Sequence, residues 1–569
     1  MAPAGARPDG AAPKRKTRDM NDLQGLSALI IEPHQGMRAS LHGMLGQCGL
    51  ARITDAANAS QAIRLMALKG YDLILCEYDL DAGQDGQQML EDLRHHRLMH
   101  PATLFFMVTG EGSFGKVVSA AELAPADYIL KPFAADAILE RITRALDKRA
   151  VFLPIHELID LGNQAGAIAA CVAGAERHPR YSVDFDRLRA ELHLVLGEAA
   201  VADGIYRALY ESRGVGWARL GQAKTLFLRG RYEEAQTMLE QLLAQYPRFL
   251  DAYDWLARTH EALGGLPRSQ AVLAEAVELS PHALRRLRRL GEVAFEAGDV
   301  DTAERAFRQV VAKSRYSEFR DPQDHTKLVR ALLRQGDPVQ AASVIRDLDK
   351  AMTGQRNGVA CGAIAAAMLH DYTGNDMRLQ QSLDQALAGC RIAQGLSPDL
   401  KLELARTCLA HGRARQGAEL VREVMRNAPG PAGVEQASAM LAQAGHGALA
   451  ERLAQESRQE VGDMVAHGAA LAKHGDYRGA VELMLEAVAK LPDNPQVVFN
   501  AAVAVLKCLE HLGWDDRLGQ YALQLIAGVR RLDPLNPKLN ALAALHQQIL
   551  KKYNIRAARW NDTTKVALV

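Results

Sequence analysis

Along the C-terminal three quarters of the chain, one pattern recurs: a glycine, a small residue five places on, a large apolar residue four further, and then a proline. Gly230, Ala235, Leu239 and Pro247 form one copy; Gly264, Ser269, Leu273 and Pro281 follow 34 residues later, then Gly298, Ala303 and Phe307. The same order stands at Gly162, Ala167, Cys171 and Pro179, at Gly412, Gly417, Val421 and Pro429, and at Gly475, Ala480, Met484 and Pro492. Weaker copies lie at Gly197, Ala202 and Tyr206, at Gly336, Ala341 and Ile345, and at Ala522, Ile526 and Pro534. Each copy has a physical reading as two packed helices. The glycine ends the first helix because it adopts positive φ at little cost. The small residue lets the helices approach, the large one fills the space between them, and the proline stops the second helix. A fixed period of this kind predicts stacked units sharing one continuous core, roughly eight or nine of them. Residues 351–400 and 430–462 are Ala-rich and least regular, and read either as degenerate units or as a break in the stack.

The first 148 residues have a different rhythm. Residues 1–24 are rich in Ala, Pro, Gly, Arg and Lys without periodicity, and read as a disordered tail in which Pro13-Lys14-Arg15-Lys16 is solvated. From residue 25, short apolar runs alternate with helical patterns: strands at Ala28–Ile31, 52–56, Leu73–Cys76, 104–108 and 128–130, with helices between them and a last helix over about Ala135 to Leu146. Five strands alternating with helices predict a doubly wound parallel α/β sheet. Right-handed crossovers bring every strand's C-terminal end to one edge, where open α/β sheets place their chemistry. Glu32, Glu77, Thr109 and Lys131 all follow strand ends, so they converge on one pocket.

Those residues carry a specific resemblance. Glu32-Pro33 after the first strand, Glu77 after the third, Asp85-Gly86 closing the next loop, Thr109-Gly110 after the fourth and Tyr128-Ile129-Leu130-Lys131-Pro132 at the fifth resemble a response-regulator receiver domain, a flavodoxin-like fold. The resemblance implies that Glu77 occupies the phosphoacceptor position, that Thr109, Tyr128 and Lys131 form the switch, and that Glu32 belongs to an acidic pocket that binds Mg²⁺. The departures are chemical. The family's acceptor is Asp and here is Glu; its acidic pair is here Glu32-Pro33, and Pro33 has no carboxylate. Asp79 and Asp81 lie just beyond Glu77 and could partly replace the missing ligand. A nucleophile misplaced by about 1 Å can cost ~100-fold. The expectation is a pseudo-receiver in which Glu77 reaches Lys131 and fixes one state, with Mg²⁺ weak or absent and no catalytic residues; slow self-dephosphorylation stays open.

The ~34-residue unit resembles the tetratricopeptide repeat. This gives three domains: the tail 1–24, the receiver-like 25–148 joined near Lys148 to Pro154, and an all-α repeat solenoid 149–569. The resemblance implies a concave groove that holds a protein partner. The run Arg285-Arg286-Leu287-Arg288-Arg289 reads as a solvated helix face. Net charge +1 gives no pull toward nucleic acid, and the aromatics (5%) are not interleaved with basic residues. Seven dispersed Cys without CxxC read as reduced thiols in the cytoplasm, and no apolar run is long enough for membrane insertion. No Walker, HExxH, GxSxG or GxGxxG motif is present. The reading is a bacterial-type cytoplasmic two-component signalling adaptor. Its alternatives are a phosphorylatable response regulator served by a histidine kinase in a phosphorelay, and a plain repeat scaffold whose receiver only binds.

Overall fold

The computed structural model describes residues 23, 25–80, 85–96, 98–110, 125–160, 163–281, 283–315, 320–351, 356–393, 395–533, 536 and 538–553. Asp81, Gly162, Pro534 and all of the tail but Leu23 therefore lie outside the described residues; Leu23 is buried in the core of the first unit. The chain divides after Phe152 into two compact units.

The first unit is a five-stranded parallel sheet in the order β2-β1-β3-β4-β5. Its strands are β1 (Ser27–Ile31), β2 (Arg52–Ala56), β3 (Leu73–Glu77), β4 (Leu104–Gly110) and β5 (Asp127–Lys131). The helices between and after them are α1 (Gln35–Gln47), α2 (Ala59–Leu68), α3 (Gly86–His95) and α4 (Ala135–Asp160). A parallel sheet is covered on both faces, so its central strands are apolar throughout, and every residue of β3 is buried. Alternate residues Ala28, Ile30, Leu73, Leu75, Phe106 and Val108 join Leu41, Leu45, Ile138 and Ile142 of α1 and α4 in one core cluster.

Register fixes where the strand ends fall. Ile31 pairs with Cys76, Glu77 with Val108, and Thr109 with Leu130. Glu32, Glu77, Thr109 and Lys131 therefore lie within about one residue of a common line at the sheet's C-terminal edge. Local caps hold the loops: Asn58 accepts from the Gln61 N–H at the start of α2, and Asp85 and Gln88 form a capping box on α3.

α4 is longer than its sequence pattern suggested. It continues through Pro154 to Asp160, past the expected end near Leu146. Proline removes one helical hydrogen bond, but Phe152 and Ile155 keep the apolar spacing and are buried, which offsets that loss. Midway along the helix, the Arg149 guanidinium donates to Asp72 at 2.7 Å, and Asp72 also accepts from the Ser27 N–H and hydroxyl, tying α4 to the segments that lead into β1 and β3.

The second unit is helical hairpins in series. Ser182–Val195 pairs with Ala199–Arg213, Gly216–Leu228 with Tyr232–Gln245, Leu250–Ala262 with Leu266–Leu279, Leu284–Glu296 with Val300–Lys313, and Pro322–Arg334 with Pro338–Ala351. The turn glycines at 197, 230, 264, 298, 336, 412 and 475 all have positive φ, between 72° and 85°. The small residues Ala202, Ala235, Ser269, Ala303, Ala341 and Ala480 are fully buried, as close helix approach requires.

The irregular stretches are hairpins too. Arg356–Tyr372 and Asp376–Ile392 turn at Gly374, and Pro431–Gln443 and Gly447–Lys473 turn at Gly445, again with positive φ. The period was hidden by length. The turn glycines Gly298, Gly336, Gly374 and Gly412 stand 38 apart, not 34. Farther on, the single 27-residue helix Gly447–Lys473 closes one hairpin and opens the next at Gly475.

The arginine run is not a solvated face. Arg286 is 1% exposed and bonds Asp254 at 3.0 Å and Ser280 at 3.2 Å. Arg285 bonds Asp254, Arg288 bonds Asp324 and Arg289 bonds Glu261 and Glu292. Apart from Arg289–Glu292, which lies within one helix, these are ion pairs between successive hairpins, with partners 28 to 36 residues away, beyond the reach of a local charge pattern.

Candidate functional site

The pocket at the edge of the sheet is organised around one cation. Lys131, at the end of β5, donates from Nζ to Glu32 Oε2 at 3.0 Å and also to Glu77 Oε2. Glu32 is fully buried and the Glu77 side chain is 11% exposed. The other carboxylate oxygens are also engaged. Glu32 Oε1 accepts the His34 N–H at 3.0 Å. Glu77 Oε1 accepts the N–H groups of Tyr78 at 2.8 Å and Asp79 at 3.3 Å.

One ammonium facing two carboxylates leaves the cluster with one excess negative charge, and the two acids divide it unequally. For Glu32, burial is outweighed by Lys131 and the His34 N–H, and its pKa lies below the ordinary value. For Glu77, burial outweighs Lys131 and its own N–H donors, and the nearby Glu32 charge adds to it, so its pKa is raised. Lys131 is held above the usual lysine value by both acids, against burial. Glu32 is thus the firm anion and Glu77 the first of the two to take a proton as pH falls.

The other residues singled out in the sequence are placed as follows. Thr109 is fully buried and its hydroxyl donates to the Gly110 carbonyl at 3.2 Å. Tyr128 lies on β5, half-buried, with its phenol pushed up to about 12 by burial. Asp79 approaches Glu77 through its backbone N–H, and its backbone forms a bridge with Asp85. Glu32, Glu77 and Lys131 are brought into direct contact; no bond joins the Thr109, Tyr128 or Asp79 side chain to that trio among the described residues.

Two contributors had no assigned role in the sequence. Arg38 donates to the Glu32 carbonyl at 2.6 Å and the Pro33 carbonyl at 3.1 Å, pinning the loop after β1. The His34 backbone N–H holds Glu32. Neither is visible as a motif, because one acts through backbone acceptors and the other through its own backbone.

Mg²⁺ takes a near-ideal octahedron of oxygens. The side-chain oxygens here belong to Glu32 and Glu77, all four already accept hydrogen bonds, and an ammonium stands between the two acids. Pro33 adds no carboxylate, and among the described residues no group of three or more His, Cys, Asp and Glu is arranged to hold a metal. The donor set does not fit this ion.

Comparison with known proteins agrees with the two-part architecture. Residues 28–143 match the family model of the response regulator receiver domain, and residues 220–283 and 256–318 that of the tetratricopeptide repeat. A chemotaxis protein CheY of Pseudomonas aeruginosa is 24% identical over 124 residues, 22% of this chain and 98% of that protein. Among solved structures, a response regulator receiver domain protein from Clostridium thermocellum is 16% identical, covering 22% of this chain and 98% of that one with TM-score 0.21. A tetratricopeptide repeat protein from Parabacteroides merdae is 14% identical, covering 45% of this chain and 97% of that one with TM-score 0.29. No helix among the described residues is long and apolar enough to cross a membrane. The chain joins a response regulator receiver domain to a series of tetratricopeptide repeats.

Proposed function

We propose that this chain is a two-component-type signalling adaptor whose receiver is held in one state by its own ion pair and whose repeats bind a partner protein. The coarse role, signalling or protein interaction, follows from the two domain types. The observation that carries the finer reading is Lys131 bridging Glu32 and Glu77.

A phosphoacceptor needs a carboxylate oxygen free to attack phosphorus in line, and charge neutralisation of the incoming group. Both Glu77 oxygens are instead bonded, and Lys131, which would contact a phosphoryl group, is already taken up by two carboxylates. The glutamate side chain is one methylene longer than aspartate, so it reaches the lysine on its own. Phosphotransfer from a histidine kinase is therefore not its mode of control, Mg²⁺ is not required, and the chain acts without catalysis of its own. The output is the hairpin array, which offers a protein partner a long surface. Seven free, buried cysteines suit a reducing compartment, and the cytoplasm is the proposed location.

The test is hydrogen exchange of the full chain with and without Mg²⁺ and beryllofluoride, a phosphoryl mimic. A fixed receiver keeps the same protection over Leu104–Gly110 and Asp127–Lys131. Added protection there would show a pocket that still closes on a phosphoryl group, and would overturn the reading.

A further inference from the structure

The two ends of the helical array meet. Gln164 opens Gln164–Arg177, the first helix after α4, and Arg530 stands in the last turn of Asp516–Leu532, at the far end of the array. With its amide turned so that the carbonyl faces the guanidinium, Gln164 accepts from Arg530 Nη1 at 2.8 Å and Nη2 at 2.7 Å. The opposite orientation would set N–H groups against N–H groups at the same distances. Gln164 is 3% exposed, and Ile526 and Val529, on the same helix as Arg530, are buried as well.

Stacked hairpins touch their neighbours in sequence, so a series of them is an open superhelix unless something joins its ends. Here the series that starts at Gln164–Arg177 returns, at Asp516–Leu532, to its own first helix, and the array closes into a ring. The bond at this joint differs from those along the ring. Neighbouring hairpins share buried apolar cores and ion pairs, as between Arg288 and Asp324. At the joint a neutral amide accepts from a cation, and water can replace each partner for the other.

A second place gives the ring a point about which to move. The buried stripe of Gly447–Lys473 includes Ala450, Leu453, Ala454, Ser457 and Val461. One apolar core ends at Ala454 and the next begins at Val461. Between them Ser457 is buried, and its hydroxyl has no partner among the described residues. Polar contacts bridge this seam. Arg422 meets Glu456 at 3.1 Å and Arg426 meets Glu460 at 2.8 Å. The Asp493 N–H donates to Asn427 Oδ1 at 2.9 Å, and Asn494 Nδ2 to the Arg426 carbonyl at 2.6 Å. An interlocked apolar seam resists displacement because shifted side chains leave voids. Polar groups at a seam re-form their bonds with water.

We propose that Gln164 and Arg530 form a latch. Closed, it holds the array as a ring. Released, the helices from Val461 onward swing about the Ser457 seam and uncover the inner helix faces. α4 ends at Asp160, just before Gln164, so the latch stands where the chain leaves the receiver's last helix. This goes beyond the adaptor reading and stands whatever the array binds.

The test is pulsed electron–electron distance measurement on the full chain, with spin labels at Glu176→Cys and Gln524→Cys. Both positions are exposed and lie on the two latched helices, and the native cysteines are buried. The native latch should give one narrow population of short distances. Gln164→Arg, which sets two cations together, should lower the ratio of closed to open rings at least about tenfold, and Arg530→Ala, which adds no charge, should open the ring too. Adding Arg530→Glu to Gln164→Arg should restore the native distribution. In Gln164→Arg, amide exchange should quicken over residues 455–460 and stay native over Pro322–Arg334, which shows that the array remains folded. Long distances in the native chain, or short ones in both opening variants, would overturn the latch. Opening that Arg530→Glu does not reverse would overturn the pairing of these two residues. Unchanged exchange over 455–460 in an opened ring would overturn the seam as the hinge.

Discussion

Lys131→Met removes the one cation that faces two carboxylates. The Glu32 side chain is 0% exposed and that of Glu77 11%, while Lys131 is 24% exposed, so solvent screens little of the interaction. Removing one partner of a buried pair costs about 3–5 kcal/mol because the remaining charge is left uncompensated. Here two acids lose the same partner, but the cost has a ceiling, since a buried carboxylate takes up a proton when charge becomes too unfavourable. In the variant both acids have pKa values raised above those in the unfolded chain. The folded state then binds more protons than the unfolded one, and stability falls as pH rises above the unfolded value. The receiver should lose about 3–4 kcal/mol at pH 8. It should recover about 1.4 kcal/mol per pH unit for each proton retained as pH falls toward 5. Native-state hydrogen exchange of the β3 amides, Leu73–Glu77, in the full chain measures this locally. A loss below about 1 kcal/mol at pH 8, or an equal loss at pH 5 and pH 8, would refute the argument that Lys131 neutralises this cluster.

Other parts of the chain give independent checks. In the native protein the depressed Glu32 contributes stability that is present above the ordinary glutamate value and lost as pH falls through its lower folded value. The raised Glu77 works in the opposite direction, its contribution declining as pH rises from the ordinary glutamate value through its higher folded one. Side-chain carboxyl NMR should therefore find Glu77 protonating first and Glu32 second on acidification. Arg286→Ala should cost about 3 kcal/mol, the low end for a broken buried pair because Arg285 still holds Asp254; urea unfolding read by tryptophan fluorescence reports it, since Trp217, Trp255 and Trp514 lie in the repeats. Gly264→Ala, at φ 75°, should cost roughly 1–2 kcal/mol. Gly43→Ala, inside α1 with open space around it, should stabilise the receiver by about 0.5–1 kcal/mol, read by native-state hydrogen exchange of the β3 amides.

The strands of the receiver were legible because each is a short apolar run bounded by polar residues, and the end of each run marks the sheet edge. Glu32, Glu77 and Lys131 could therefore be assigned to one pocket before any distance was known. The donors that set the pocket's electrostatics, the backbone N–H groups of His34 and Tyr78 and the Arg38 guanidinium on two carbonyls, have no sequence signature. The hairpins were legible where the turn glycines keep a constant interval. They were not legible at Gly374, where Leu379 stands in the place of the small residue, nor in Gly447–Lys473, where two roles share one helix. The arginine run was misread for a related reason. Local pattern sees four cations on a helix, whereas their acids sit on the neighbouring hairpins at Asp254, Glu261 and Asp324.

The central claim is that the Glu77–Lys131–Glu32 cluster replaces phosphotransfer. Intact-mass spectrometry after incubation with Mg²⁺ and acetyl phosphate, on the native chain beside Glu77→Asp, tests it most directly. The account predicts no phosphoryl adduct on the native chain. An adduct on most native molecules would contradict it and make Glu77 a working acceptor.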